Sequence, residues 1–193
     1  MGNKDTFFLE GTSEVGVLLN HSLGADPSQM LELGKKLNKK GYSVYCTLYD
    51  GHGKALMDLI ASSVDDWYQN VVDGYDFLKA KGLEVAVIGM SIGGSFAVKL
   101  AEEKDLFACV TVNAPIIGFD VIGDVYTFSQ EYSEKAVIKL YNQHRQHYFE
   151  EVTKIGQTEN LKKIHAPFFV IQGSKDANRY KTSSHMLMTF ISS

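Results

Sequence analysis

Residues 84–100 read EVAVIGMSIGGSFAVKL, a short apolar run followed at once by an amphipathic stretch. This pattern predicts a buried strand, a tight turn and a helix, with Ser91 at the turn. A serine in that place adopts a strained backbone, so that its hydroxyl projects above the sheet. Gly89 and Gly93 flank it at two residues' distance and leave room for the strand and the helix to approach each other. Ser91 is therefore a candidate nucleophile.

The motif G-x-S-x-G also occurs by chance, and two other interpretations of this stretch exist. One is a plain strand-to-helix turn in a doubly wound binding domain. The other is a dinucleotide-binding fingerprint, but G-x-G-x-x-G would need glycine where Ser91 stands. The apolar strand before the motif and the helix after it are the context that a nucleophile elbow requires, and they favour the elbow.

Strands and helices alternate along the rest of the chain. We predict strands at 15–22, 42–49, 84–90, 107–115 and 167–173, and helices at 25–41, 65–81, 92–104 and 179–191. Such alternation is typical of a parallel sheet covered by helices on both faces. The predicted fold class is therefore α/β, in a single domain over residues 1–193.

The first predicted helix has start and stop signals of its own. Asp26 is the predicted N-cap, Pro27 the first helical residue, and Gln29 the residue that closes a capping box. Gly41 ends the helix. The spacing of apolar residues predicts its buried face, which consists of Met30, Leu33 and Leu37.

Residues 116–164 interrupt the alternation, because this segment is too long for a simple crossover and contains no convincing strand. We predict that it forms a small helical cap inserted in the domain. Its aromatic residues either pack the cap helices together or line an acyl pocket, and both roles stay open: Phe119, Tyr126, Phe128, Tyr132, Tyr141, Tyr148 and Phe149.

The composition is that of an ordinary globular protein, with 45% hydrophobic and 22% charged residues. A net charge of −4 argues against a nucleic-acid partner or an anionic membrane surface. The chain has no apolar run of the roughly 20 residues that a membrane helix needs, and its N-terminus lacks the apolar core of a secretory signal. We predict a cytoplasmic protein without cofactors, in which Cys46 and Cys109 are buried thiols.

Five further motifs accompany the elbow in a fixed order along residues 7–193. They are VLLNHSLGADPSQM (17–30), YDGHG (49–53), DDWYQNVVDGYDFLKAKG (65–82), NAPI (113–116) and APFFVIQGSKD (166–176). Together with GMSIGGSFAVKLA they resemble the α/β-hydrolase superfamily, and within it the small bacterial carboxylesterases and monoacylglycerol lipases. The resemblance implies an α/β-hydrolase fold.

The resemblance also implies a role for four residues. Ser91 would attack an ester carbonyl and form an acyl-enzyme. The backbone N–H groups of Ile92 and Leu23 would form the oxyanion hole. Asp176 would orient an imidazole and stabilise its cation. Asp176 also lies in the sequence GSKDAN, which has good turn chemistry, so a turn residue is the alternative interpretation.

Two departures from the family pattern affect this expectation. The oxyanion loop has Ser22 after His21 where the family has glycine, and a serine would be strained there if the loop requires a positive φ. The family's triad histidine follows the acidic residue after one more helix and one more strand. The sequence ends at Ser193, before that strand, so we predict a C-terminally truncated fold.

None of the six histidines has the position of the triad base. His21 belongs to the oxyanion loop, and His52 lies in another loop near the mouth of the site. Two more histidines lie outside the cap. His165 precedes the last strand, and His185 lies within the last helix.

The last two histidines, His144 and His147, form an H-x-x-H motif in the predicted cap, with Glu150 and Glu151 nearby. This spacing can hold zinc, but no third ligand is fixed by the pattern. A solvated helix face is the commoner interpretation, and we predict no metal site.

The sequence therefore predicts a serine hydrolase of the carboxylesterase or lipase type, acting on short- to medium-chain acyl esters through a Ser91 acyl-enzyme. The alternative is a catalytically impaired relative that lacks the triad histidine and binds esters or acts as a scaffold. The strand at 167–173 would form an exposed sheet edge, and such an edge can pair with a second copy to give a homodimer.

Overall fold

A computed structural model describes residues 5–116, 150, 158–176 and 178–191 of the protein. Most of the predicted cap at 116–164, with its aromatic residues and the H-x-x-H motif, lies outside these residues. The described ranges include all five strands that the sequence predicts.

The described residues form one six-stranded sheet. Its strands are β1 (Phe7–Leu9), β2 (Val15–Asn20), β3 (Ser43–Cys46), β4 (Glu84–Met90), β5 (Ala108–Val112) and β6 (Phe168–Ile171). Their order across the sheet is β1-β3-β2-β4-β5-β6. β1, which the sequence does not predict, pairs antiparallel with β3, and all other neighbours are parallel. The prediction of a mostly parallel sheet is confirmed.

Helices cover both faces of this sheet, as predicted. Within the described ranges they are α1 (Leu31–Asn38), α2 (Leu56–Ala61), α3 (Val64–Ala80), α4 (Ile92–Glu103), α5 (Thr158–Leu161) and α6 (Asn178–Phe190). Val17 and Leu19 of β2 pack with α1 on one face. Leu18, which points to the opposite face, belongs to a larger core that includes residues of α3, α4 and α6.

The predicted helix at 65–81 is α3, and its first turn explains its start. The Ser63 hydroxyl accepts a hydrogen bond from the Asp66 N–H at 3.1 Å, while an Asp66 carboxylate oxygen accepts one from the Ser63 N–H at 2.8 Å. From this start Trp67, Val71 and Leu78 fall on the buried face. The preceding helix α2 is only six residues long and is not among the helices predicted from the sequence.

The prediction for the helix at 25–41 is partly wrong. Asp26 caps only a short 3-10 turn, Pro27–Gln29, and α1 begins at Leu31. Gln29 closes no capping box, because its side-chain oxygen instead accepts a hydrogen bond from the Ser22 N–H at 2.9 Å. Met30 and Leu37 pack against the core, as predicted. Leu33, which the sequence predicts on the buried face, is 38% exposed.

Candidate active site

The turn between β4 and α4 has the strained backbone that the elbow prediction requires. Ser91 has φ 53° and ψ −121°, a conformation that residues other than glycine seldom adopt. Its N–H donates a hydrogen bond to the Val112 carbonyl at 2.9 Å, which fixes the turn to the end of β5. Its side chain does not cap α4.

Three glycines make this turn possible, because β4, β2 and α4 approach each other closely there. A Cβ at Gly89 would overlap the carbonyl of Gly93. A Cβ at Gly93 would lie 2.5 Å from the Asn20 carbonyl oxygen and 2.6 Å from that of His21. A Cβ at Gly94 would lie 2.6 Å from the Cβ of Ala114. No side chain fits at these positions without moving backbone or a packed neighbour.

The contact between Gly93 and His21 brings the loop after β2 next to the first turn of α4. Leu23, a predicted oxyanion donor, lies in this loop and is 42% exposed. The other predicted donor, Ile92, is the first residue of α4 and is buried. N–H groups in the first turn of a helix lack helical partners, so they are available to an anion.

The strain expected at Ser22 is not found. In the described residues, only Ser91 and Asn113 have positive φ among non-glycine residues. In the loop after β2 the positive φ, 71°, falls at Gly24 instead. Serine therefore fits the loop without a left-handed backbone, and its N–H donates to the Gln29 side chain.

His21 joins the loop after β2, in which the oxyanion donor Leu23 is predicted, to the loop after β3. Its side chain is fully buried. Its ring Nδ1 donates to the Ser22 carbonyl at 2.9 Å, and its Nε2 accepts from the Tyr49 N–H at 3.4 Å. This pair of partners requires a neutral ring with the proton on Nδ1. Burial lowers the pKa of His21 to about 4, so the neutral ring is the stable form at neutral pH.

His52 follows β3 and is buried, so its ring is not an exposed group of the loop. It is 1% exposed, and its ring centre is 4.9 Å from that of Trp67 and 5.3 Å from that of His21. Its Nδ1 lies 3.2 Å from the Asp50 carbonyl oxygen, and its buried Nε2 has no hydrogen-bond partner among the described residues. Burial lowers the pKa of His52 as well. The ring is thus a core residue.

Asp176 lies in the turn that follows β6, at the same edge of the sheet as Ser91. Its N–H donates to the Gly173 carbonyl at 3.1 Å, and its carboxylate accepts from the Gln172 amide at 3.4 Å. The Gly173 N–H in turn donates to Oδ1 of Asn113 at 2.8 Å. Asn113 is not among the site residues predicted from the sequence. A signal was available, because asparagine directly after a strand is one of the few residues that tolerate a positive φ.

The remaining described histidines lie apart from the elbow. His165 precedes β6, at the sheet edge opposite to the elbow, and His185 lies on α6; both are exposed. Of the four histidines within the described ranges, none forms a hydrogen bond with Ser91. His144 and His147 lie outside those ranges.

Three other expectations concern the described part of the chain. Cys46 and Cys109 are free and buried, as predicted, and burial raises the pKa of both thiols. In the described ranges, no three His, Cys, Asp or Glu side chains are grouped as metal ligands. The helices of those ranges include none with the length and apolar character that crossing a membrane demands.

Comparison with known proteins assigns the family. The sequence pattern of the prolyl oligopeptidase family matches residues 49–191. The chain belongs to the prolyl oligopeptidase family. This assignment and the sheet topology confirm the predicted α/β-hydrolase fold.

Curated relatives of this family member include two hydrolases. The chain is 37% identical over 101 residues to a carboxylesterase of Bacillus subtilis (strain 168). This match covers 52% of the chain and 41% of the relative. The chain is 32% identical over 117 residues to a thermostable monoacylglycerol lipase of Bacillus sp. (strain H-257), covering 60% of this chain and 46% of the relative. The predicted relationship to this esterase and lipase group is confirmed, although the chain spans less than half the length of either relative.

Solved structures with the same fold include lipolytic enzymes. A structure from the study of the metagenome-derived lipolytic enzymes LipS and LipT has a TM-score of 0.77 at 18% identity. The match covers 97% of this chain and 83% of the chain in that structure. The monoacylglycerol lipase of Paleococcus ferrophilus has a TM-score of 0.69 at 15% identity, covering 94% and 82%. At such identities the likeness concerns the fold alone.

Proposed function

We propose that this chain is a serine hydrolase of the esterase or lipase type, acting on short- to medium-chain acyl esters with Ser91 as nucleophile. The observation that carries the proposal is the strained backbone of Ser91 between β4 and α4. Strain of this kind persists where the surrounding structure enforces it and is concentrated at functional sites. The similarity to a carboxylesterase and a monoacylglycerol lipase supports an ester as substrate.

The reaction proceeds in two halves. The Ser91 oxygen attacks the ester carbonyl carbon while its proton passes to an imidazole, and the oxyanion accepts hydrogen bonds from the N–H groups of Leu23 and Ile92. The protonated imidazole then gives its proton to the departing alcohol, which leaves an acyl-serine. Water attacks this ester by the same route in reverse, releasing the carboxylic acid and restoring the serine. Asp176 orients the imidazole and stabilises its positive charge.

The proposal requires an imidazole that the described residues do not supply, because none of their histidines forms a hydrogen bond with Ser91. Water is the second substrate, and the route needs no cofactor. A cytoplasmic location remains a prediction from the sequence.

The direct test is hydrolysis of p-nitrophenyl butyrate by the wild type and by Ser91→Ala, together with labelling by a fluorophosphonate probe. We expect both turnover and labelling to disappear in Ser91→Ala. Ser13→Ala is the matched control, because Ser13 lies before β2, at the sheet edge opposite to the elbow. Equal rates in the wild type and Ser91→Ala would contradict the proposal.

A second candidate function is ester binding without turnover. It is favoured by one observation, that none of the histidines in the described ranges forms a hydrogen bond with Ser91. Without a base, serine is a weak nucleophile at neutral pH. Calorimetry with a non-hydrolysable phosphonate ester separates the two functions, because this candidate predicts reversible binding without covalent labelling of Ser91.

A further inference from the structure

The carboxyl end of β5 lies between the turn that carries Ser91 and the turn that carries Asp176. On one side, the Val112 carbonyl accepts a hydrogen bond from the Ser91 N–H at 2.9 Å. On the other side, the next residue, Asn113, donates from its N–H to the Ile171 carbonyl at 2.9 Å, which extends the β5–β6 ladder. Two consecutive residues thus hold both turns.

The side chain of Asn113 makes a second bond to the acidic turn. Its Oδ1 accepts from the Gly173 N–H at 2.8 Å, and the Gly173 carbonyl accepts from the Asp176 N–H at 3.1 Å. Gly173 is therefore bonded through its N–H to the Asn113 side chain and through its carbonyl to the predicted acid. A short chain of hydrogen bonds connects Asn113 to Asp176.

The backbone of Asn113 explains why this residue can make both bonds. Its φ is 50°, in the left-handed region, where asparagine and aspartate are tolerated far better than other side chains with a Cβ. Among the described residues outside glycine, only Ser91 shares a positive φ. The two residues directly follow the neighbouring strands β4 and β5, at the same edge of the sheet.

We infer that Asn113 is a positioning residue, which holds the Asp176 turn in register with the Ser91 turn. The inference rests on the proposed function, because it assigns Asn113 to the reaction of Ser91 and Asp176. Asn113 acts through Gly173 and does not itself touch the reacting atoms. A misplaced acid leaves the imidazole poorly oriented, and displacements of about 1 Å cost on the order of 100-fold in rate.

The test compares two substitutions that keep the left-handed backbone. Asn113→Gly removes the acceptor, whereas Asn113→Asp retains an acceptor oxygen at the same distance from the backbone. For p-nitrophenyl butyrate we expect Asn113→Gly to lower kcat roughly 10- to 100-fold with KM changed less than about twofold, because the substrate is not contacted. We expect Asn113→Asp to recover most of kcat. Amide hydrogen exchange should show faster exchange at Gly173 in Asn113→Gly only.

Asn113→Ser is the second variant if Asn113→Gly fails to fold. Its hydroxyl is one bond too short to reach the Gly173 N–H, and it should show the same loss of kcat. A kcat equal to that of the wild type in either variant would overturn the inference, as would a loss that Asn113→Asp does not reverse.

The wild type beside Ser91→Ala separates this inference from the proposed function. If the wild type is no more active than Ser91→Ala, the proposed function fails and the inference fails with it. If the wild type is active and Asn113→Gly matches it, the inference alone fails. An active wild type with a slowed Asn113→Gly and a recovered Asn113→Asp supports both.

Discussion

The N–H of Ser91 donates to the carbonyl of Val112 at 2.9 Å, so the strained turn after β4 is anchored to the neighbouring strand β5. The same strand leads directly into Asn113, whose side chain holds the turn after β6. Three adjacent parallel strands are thereby joined at their carboxyl ends by the last rungs of their ladders and by one side-chain hydrogen bond. This edge is where ligands bind in open α/β sheets.

We expect Gly93→Ala to damage both folding and the proposed reaction. Its Cβ would lie 2.5 Å from the Asn20 carbonyl oxygen, so the loop that carries Leu23 would have to move. Forcing atoms into a packed site costs about 1–3 kcal/mol, which urea denaturation would measure. Gly82→Ala is the control, because its φ is +77° but its Cβ would meet nothing within 4 Å. Both variants should lose stability, but only Gly93→Ala should lose ester hydrolysis; a normal rate in Gly93→Ala would contradict this expectation.

His21 should make the protein sensitive to acid. Its pKa is lowered from 6.5 to about 4 by burial, so the unfolded chain takes up a proton more readily than the folded one. The neutral ring therefore contributes about 3 kcal/mol to the free energy of unfolding. This contribution is complete above about pH 6.5 and is lost as the pH falls toward 4.

Urea denaturation of the wild type and His21→Asn between pH 7 and pH 4 measures this effect. The wild type should be more stable at pH 7, and its advantage should shrink as the pH falls. His185→Asn, a change at an exposed histidine of α6, should follow the wild type throughout. If the difference in unfolding free energy between the wild type and His21→Asn stays constant with pH, His21 is not the cause of the acid sensitivity.

Much of the fold could be predicted from the sequence, because its signals are local. The elbow needs only an apolar strand, a serine between two glycines and a helix, all within residues 84–103. The parallel sheet follows from strands that alternate with helices. Short or irregular elements escape such reasoning: β1 has three residues, and a 3-10 turn stands where the sequence predicts the first turn of a helix.

The contacts within the site were harder to predict from the sequence, because they join distant parts of the chain. The bond between Asn113 and Gly173 spans 60 residues, and nothing in either segment indicates it. His52 lies in a polar turn sequence, DGHG, which suggests an exposed loop, but Trp67 and Tyr49 enclose its ring. Burial of this kind depends on how α3 packs over the loop, which no local pattern contains.

Glu102 should destabilise the protein at alkaline pH. It lies on α4, and its Oε1 is buried without a hydrogen-bond partner among the described residues. Burial, followed by the neighbouring Glu103 carboxylate, raises the pKa of Glu102 to about 8, although Lys163 and Lys99 oppose the shift. The folded state therefore keeps this proton longer than the unfolded state. The stabilisation that comes from this bound proton is complete below about pH 4.5 and is lost as the pH rises through about 8.

Thermal unfolding of Glu102→Gln at two pH values tests this expectation. At pH 9 the variant should have a higher Tm than the wild type, by about 2–4 °C for each kcal/mol gained in a domain of this size. At pH 4 the two should agree, because the wild-type carboxyl is then largely protonated. Glu32→Gln, at an exposed position paired with Lys35, is the control and should change little at either pH. A Tm gain of the same size at both pH values would mean that packing, not ionisation, is responsible.

We expect β6 to mediate self-association, as the sequence suggested. Within the described residues β6 pairs with β5 alone, and Phe169 on this strand is 62% exposed. An edge strand with free backbone groups and an exposed aromatic ring favours pairing with a second copy.

Sedimentation velocity should give a mass near twice 21.5 kDa for the wild type and near 21.5 kDa for Phe169→Lys. Phe107→Lys is the matched control, because Phe107 is 53% exposed but precedes β5, and it should leave the dimer intact. A single-chain mass for the wild type at every concentration would rule out the dimer, and a dimer that persists in Phe169→Lys would place the interface elsewhere.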